Sequence, residues 1–279
     1  MTNENEAPPA DIKAALESER KDFHRATDFS LRVSGALHGE PTTDAGELGS
    51  FVQAKMCANA VSTEHLFSSP LADHSAIIAL CRMIMEAMTL YFYLTKPVAA
   101  DEWGCRKLVL RLHDTVNRIK LMRGFQSENE YADLISGRAK LEGELRENSF
   151  FKSLQAEQQD RLLTGEHFYV GGVQRAAKDA GWDFRKYIAH YSYFSAHAHS
   201  APMSFMRFIK HKVSFGEPSD AQRGAVTSAL CVAEFCLLKT SLAHLNSSPA
   251  AGTKFDSKEV AEFARGVGDY EKEFGSGQV

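Results

Sequence analysis

The sequence contains almost no alternation of apolar and polar residues, the pattern that marks strands half-buried in a sheet. It also has no GxxxxGK[ST] loop, no GxGxxG turn and no GxSxG elbow. These absences argue against a P-loop kinase, a Rossmann enzyme and an α/β hydrolase. We therefore expect no cofactor, and we expect any site to be built from helices.

Spacings that bind metals are absent as well. No histidine pair has the HxxxH spacing and no Glu-His pair has the ExxH spacing, either of which would place two ligands on one helix face. His197 and His199 form HxH, but on a helix two such side chains diverge by about 200°. We expect no metal site. The cysteines form no CxxC pair, and we expect buried free thiols at Cys57, Cys81, Cys105, Cys231 and Cys236.

The sequence also has no excess of basic residues. Its net charge is −4 and its pI is about 6.3, so no overall field attracts nucleic acid or an anionic membrane. The first residues, MTNENEAPPADIKAALESER, lack the basic and apolar regions of a signal peptide. We expect a cytoplasmic protein.

One apolar stretch, SAIIALCRMIMEAMTLYFYL at 75–94, is long enough to span a bilayer. Arg82 and Glu86 lie at its centre, where each charge costs about 2.5–3.5 kcal/mol on insertion scales. The two residues are four positions apart and share one helix face. This pattern favours a buried helix of a soluble bundle, with no membrane partner.

Helical periodicity and capping signals predict an all-α protein, a multi-helix bundle that is mostly antiparallel with an irregular middle segment at 148–182. The main helices are predicted at 12–37, 48–67, 73–96, 101–122, 128–147, 184–201 and 221–245. Only 205–215 has a pattern that favours extended structure. We predict a disordered N-terminus at 1–10, one helical-bundle domain at 11–247, and a linker, short amphipathic helix and flexible tail at 248–279.

The stretch FRKYIAHYSYFSAHAHSAP at 184–202 concentrates polar and aromatic side chains on a predicted helix. Buried charges at Arg82 and Glu86 need partners, and a facing helix of histidines and serines can supply them. Two interpretations stay open: a hydrogen-bonded polar core that fixes helix register, and a ligand pocket. The candidate ligand-binding residues are Arg82, Glu86, Tyr187, Ser192, Ser195, His197 and His199.

These residues follow an ordered pattern: a long apolar helix with R-x3-E, then a broken region, then Ala180-Gly181 and YxxxYSxxSxxxH. The pattern resembles a bacterial family of uncharacterised helical proteins with a domain of unknown function. The resemblance covers roughly residues 50–245. It implies that Arg82, Glu86 and the histidine helix meet in one place, and it implies no activity.

A second motif is Arg185-x4-His190, which is similar to the R-x4–6-H motif of the HEPN superfamily of helical bundles. Many of those proteins are metal-independent ribonucleases that complete their site across a dimer. The resemblance implies catalytic roles for the two residues: the histidine takes the 2′-OH proton and the arginine holds the phosphate. Lys186 departs from the usual motif, and three further Arg/His pairs in the chain have the same range of spacings.

The predicted fourth helix is strongly basic, with six Lys and Arg against one Asp between residues 106 and 123. It can be a solvated face or a platform for RNA phosphates. The candidate phosphate-binding residues are Arg106, Lys107, Arg111 and Arg118.

Two functions follow from these motifs. The first is a cytoplasmic helical protein that binds a small ligand or a protein partner through a polar centre at Arg82, Glu86 and the histidine helix. The alternative is a HEPN-like ribonuclease that uses Arg185 and His190, with RNA as partner. Whether the protein is an enzyme stays open. The apolar face of 221–245 is a candidate homodimer interface.

Overall fold

A computed structural model of the chain describes residues 11–40, 42–68, 73–125, 128–199, 202, 206 and 218–275. Within these residues it contains twelve helices and no strand, so the predicted all-α fold is confirmed. The expected disorder at 1–10 and the last four residues of the predicted tail lie outside this part of the chain. So does nearly all of 205–215, the segment expected to be extended.

The helices follow the predicted order along the chain. Their bounds are α1 Ile12–Leu37, α2 Asp44–Phe67, α3 His74–Thr95, α4 Ala100–Phe125, α5 Glu128–Glu147, α6 Ser149–Ser153, α7 Ala156–Leu163, α8 Gly172–Asp179, α9 Phe184–Ala198, α10 Asp220–Asn246, α11 Pro249–Gly252 and α12 Ser257–Phe274. The irregular middle segment is the series of short helices α6 to α8 with their connecting loops.

Polar caps fix the starts of the helices. The Asp11 carboxylate accepts hydrogen bonds from the amides of Lys13 and Ala14, and Asp183 accepts one from the amide of Lys186. Ser219 opens α10 with a reciprocal capping box. Each cap satisfies amides that have no partner within the helix.

The helices form two compact units, one of residues 1–95 and 177–279 and one of residues 96–176. In the first unit α10 packs against α1, α2, α3, α11 and α12, and α3 also packs against α2 and α9. In the second unit α4 packs against α5, α6 and α7 around a separate apolar core. The single domain expected at 11–247 stays a prediction.

Two helices of the first unit, α3 and α10, are long and apolar enough to cross a bilayer. More than half of each apolar window is buried inside the protein, which is also typical of core helices in soluble proteins. The apolar face of α10, our candidate homodimer interface, is covered within the chain by α1, α3 and α12.

The thiols are free, as expected: four of the five cysteines are buried, and Cys231 is partly buried. Burial raises the pKa of Cys57 to about 11 and that of Cys105 to about 12, so these thiols stay protonated at neutral pH. A protonated thiol is a poor nucleophile.

A pair of carboxyl groups lies inside the first unit where α1, α10 and α12 meet. Glu234 is 8% exposed and accepts a hydrogen bond of 2.9 Å from the Tyr270 hydroxyl. It is also hydrogen-bonded to Glu19, which contacts the Cys231 thiol and lies near Asp22 and Glu273. Burial, followed by the charge of Glu19, raises the pKa of Glu234 to about 8. The pair therefore retains a proton at neutral pH.

This proton makes stability depend on pH. A glutamate whose pKa is raised from 4.5 to about 8 by folding contributes stability that is complete below pH 4.5 and is lost as the pH rises through 8. We expect Glu234→Gln to remove a slope of up to about 1.4 kcal/mol per pH unit between those values. The measurement is the free energy of unfolding in urea, for wild type and variant, over this range.

The exposed Glu157→Gln is the matched control and should leave the slope unchanged. Buried histidines also titrate in this range, so the difference between wild type and variant is the quantity to compare. Parallel curves for wild type and Glu234→Gln would contradict the shared proton.

Candidate functional site

The polar centre lies where α3 and α9 pack against each other in the first unit. The two helices run antiparallel, because Ser75 pairs with His197 near one end and Thr89 bonds Tyr187 near the other. Between these pairs Arg82 faces α9. The residues of α3 that meet α9 are thus spaced by whole turns along one face.

Arg82 is the hub of this centre. Its Nη2 donates to Oε1 of Glu86 at 2.9 Å and to the Tyr191 hydroxyl at 3.1 Å, and its Nη1 lies 3.3 Å from Nε2 of His199. Arginine is only a donor, so Nε2 of His199 accepts, and the imidazole proton lies on Nδ1. The guanidinium carbon also lies 4.8 Å from the centre of the Tyr191 ring. Three partners on two helices therefore hold one cation.

Two donors at this centre have no hydrogen-bond partner in the described part of the chain. They are Nε of Arg82 and Oγ of Ser195, and both atoms are buried. Ser195 lies one turn from Tyr191 and one turn from His199, so it shares their stripe of α9. Buried polar atoms in folded proteins almost always have a partner. Each of these donors could be satisfied by an acceptor oxygen of a ligand.

The other polar side chains of the interface between α3 and α9 pair with one another. Oγ of Ser75 lies 3.4 Å from Nδ1 of His197, and the His197 ring contacts Tyr193. Tyr187 is buried and hydrogen-bonded to Thr89, and burial raises the pKa of its phenol to about 12. It is therefore a neutral structural group. Its ring stacks on Tyr191 at 6.0 Å, which orients the tyrosine that binds Arg82.

The structure brings three of the seven candidate ligand-binding residues into contact, Arg82, Glu86 and His199, and Ser195 lies on the same stripe of α9 as His199. Tyr187 and His197 lie in the same interface with other partners, whereas Ser192 is exposed and makes no hydrogen bond to the described residues. The sequence analysis missed Tyr191. The i+4 stripe of residues 187, 191, 195 and 199 would have identified it.

Arg185 and His190 lie at the start of α9. Arg185 is exposed and forms no ion pair with the residues described. His190 is partly buried among the rings of Trp182, Phe194 and Phe274, at 6.4, 5.7 and 5.5 Å. Burial lowers the pKa of His190, and the charge of Glu273 partly opposes this. The imidazole is thus held neutral, whereas Arg185 faces solvent.

Gly181 explains the Ala-Gly pair that precedes α9. Its φ is +87°, in the left-handed region that favours glycine. A Cβ at this position would lie 2.2 Å from Nζ of Lys239, the lysine that pairs with Glu271 at 2.8 Å. Gly181 therefore allows α8 to end tightly and places Trp182 in the core.

The basic residues of α4 do not form one surface. Arg106 is fully buried and donates to Oε1 of Glu102 from Nε at 3.1 Å and from Nη2 at 2.5 Å. Arg175 donates to the same oxygen at 2.8 Å. Arg106 therefore cannot meet a phosphate at the surface. Of the other three candidates, Lys107 lies over the Trp103 ring, and Arg111 and Arg118 are exposed.

In the described ranges, no group of three or more His, Cys, Asp or Glu side chains could hold a metal ion. The centre at Arg82 is accordingly one of hydrogen bonds and charge. It can hold an acceptor group, and an imidazole and a carboxylate lie beside it.

A model of the family of unknown function DUF5677 matches residues 50–217, more than half of the chain. The chain belongs to the DUF5677 family. The match includes α3 and α9, and with them every residue of the Arg82 centre. The expected membership in a helical family of unknown function is thereby confirmed. No curated protein and no solved structure is similar to this DUF5677 chain.

Removal of the Ser195 hydroxyl should cost no stability, because that hydroxyl has no partner in the described chain. We expect Ser195→Ala to leave the free energy of unfolding unchanged or to raise it by up to about 1 kcal/mol. The measurement is urea denaturation followed by circular dichroism.

Ser30→Ala is the matched control. The Ser30 hydroxyl donates to Ala26 at 2.7 Å and accepts from Ser241 at 2.8 Å, so its loss should cost about 1–3 kcal/mol. Equal destabilisation by the two substitutions would mean that Ser195 has a structural partner.

Proposed function

We propose that this DUF5677 protein binds a small ligand with an acceptor oxyanion, a carboxylate or a phosphate, at the Arg82 centre. The observation that carries the proposal is the pair of buried, unpartnered donors, Nε of Arg82 and Oγ of Ser195, on facing helices. Arginine presents a planar set of donors that matches an oxyanion. Tyr191 and His199 hold that set in place.

The charge balance of the centre allows a ligand oxyanion to take the place of the Glu86 carboxylate beside Arg82. The Arg82 side chain is 14% exposed, whereas Glu86 is 38% exposed and reaches solvent. Solvent screens the exposed carboxylate of this pair and weakens its hold on Arg82. A ligand oxyanion can therefore replace the Glu86 carboxylate at little cost and leave Arg82 neutralised. The neutral Nε2 of His199 would stay an acceptor for Arg82.

The first test is calorimetric titration of the full chain with inorganic phosphate, glycerol 3-phosphate and succinate. Arg82→Lys keeps the positive charge but removes Nε and the planar set of donors, so we expect at least a tenfold loss of affinity. Ser195→Ala should also weaken binding while leaving the fold intact.

Arg25→Lys is the control, because Arg25 forms an exposed ion pair with Glu262 elsewhere in the first unit. Equal affinity of wild type and Arg82→Lys for every probe that binds would sink the proposal. An equal loss of binding in Arg25→Lys would mean that the loss is not specific to the Arg82 centre.

A second candidate is a metal-independent ribonuclease that uses Arg185 and His190. It is supported by the lowered pKa of His190, because a general base at neutral pH must be unprotonated. The exposed Arg185 on the same helix is free to meet a phosphate. The cytoplasmic location and the bacterial source of the chain stay predictions.

This candidate predicts cleavage of mixed single-stranded and structured RNA by the wild type in EDTA, and loss of cleavage in His190→Ala and Arg185→Ala. His38→Ala is the control, since His38 is exposed and belongs to another Arg/His pair, Arg32 with His38. Product formation is read on a denaturing gel. Absence of cleavage by the folded wild type would contradict the ribonuclease hypothesis.

A further inference from the structure

The second unit contains a cleft that none of the preceding functions uses. It lies between α7 and the start of α8 and has a volume of about 340 Å³. One wall is α7, with Gln158 and Arg161, and the other is the loop from Glu166 to Val173. Small-molecule sites in proteins measure roughly 300–1,000 Å³, so the cleft is large enough for one small ligand.

The floor of the cleft is aromatic. The rings of Phe168 and Tyr169 lie 4.3 Å apart between centroids, and the His113 ring supports Phe168 at 4.9 Å. His113 also donates from Nδ1 to the Gly165 carbonyl at 2.8 Å. These contacts tie the loop to α4, so the aromatic surface is formed before any ligand binds.

The rim of the cleft carries an arginine and a histidine, Arg161 and His167. Arg161 and His167 are exposed, and their side chains form no ion pair or hydrogen bond with the residues that the structure describes. The carboxylate of Glu166 is already neutralised by Nζ of Lys120 at 3.2 Å. An arginine beside an aromatic surface suits a ligand that combines a flat ring with a phosphate.

We propose that this cleft binds a nucleoside monophosphate, with the base on Phe168 and Tyr169 and the phosphate on Arg161 and His167. The small volume favours a single nucleotide over a polymer. The Gln158 amide can both donate to and accept from a base edge. The sequence has no GxxxxGK[ST] loop, and in this proposal side chains hold the phosphate.

The test is calorimetric titration of the full chain with AMP, GMP, CMP and UMP, alongside adenosine and inorganic phosphate. We expect at least one nucleotide to bind with a dissociation constant below about 1 mM. Arg161→Ala should weaken that nucleotide at least tenfold and leave adenosine unchanged. Tyr169→Leu should weaken nucleotide and nucleoside alike, because both stack through the base.

The matched control is Arg146→Ala, which removes an exposed arginine of α5 that does not line the cleft. Circular dichroism of each variant checks the fold. The proposal is overturned if no nucleotide binds the wild type, if Arg161→Ala binds as tightly as the wild type, or if single-stranded RNA binds the cleft more tightly than every mononucleotide. Nucleotide binding that persists in Arg82→Lys separates this cleft from the Arg82 centre.

Discussion

The burial of α10 on nearly every side is the constraint on which the first unit depends. Apolar contacts with α1, α2, α3 and α12 cover the helix, so its buried polar groups need partners inside the protein, and Oγ1 of Thr240 is an exception without one among the described residues. Ser241 is hydrogen-bonded to Ser30 and Gln53. Nδ1 of His244 lies 3.2 Å from the Tyr91 hydroxyl. Glu234 accepts a hydrogen bond from the Tyr270 hydroxyl and shares a proton with Glu19. These bonds join α10 to four other helices, α1, α2, α3 and α12, and fix its register among them.

Two of the Arg/Glu ion pairs spaced by four residues, Arg82 with Glu86 and Glu102 with Arg106, differ in burial and therefore in role. In the second unit Arg106 is fully buried against Glu102, which also receives Arg175, so the network is closed and structural. In the first unit Arg82 and Glu86 lie at the edge of a helix interface. The Glu86 carboxylate reaches solvent there, and Nε of Arg82 has no hydrogen-bond partner among the described residues. A buried network in which the charged groups are paired with one another fixes structure. A network with a solvent-exposed member can exchange that member for another partner. An Arg/Glu pair with four-residue spacing is therefore structural in the second unit and part of a candidate site in the first.

Much of the fold could be predicted from local signals. Asp11 and Asp183 cap their helices as expected, and α3 ends shortly before Pro97. Four members of the Arg82 centre could be named because helical spacing groups them. The features that the sequence did not reveal depend on packing between residues far apart in the chain. Glu19 and Glu234 are far apart in the chain, and the burial of Arg106 depends on its partners Glu102 and Arg175, neither of which helical periodicity reveals.

The Arg82 centre depends on contacts well beyond its own residues. The position of α9 on α3 is held at its start by the end of α12, where the Asp183 amide donates to the Phe274 carbonyl at 2.9 Å and Trp182 packs on the Phe274 ring. The helix α12 is in turn held on α10 by Tyr270 on Glu234 and by Glu271 on Lys239. Loss of the Glu234 proton would place a charge under α12 and weaken that attachment. The orientation of Tyr191 and His199 toward Arg82 is thus connected, through two helix contacts, to a carboxyl group on a third helix.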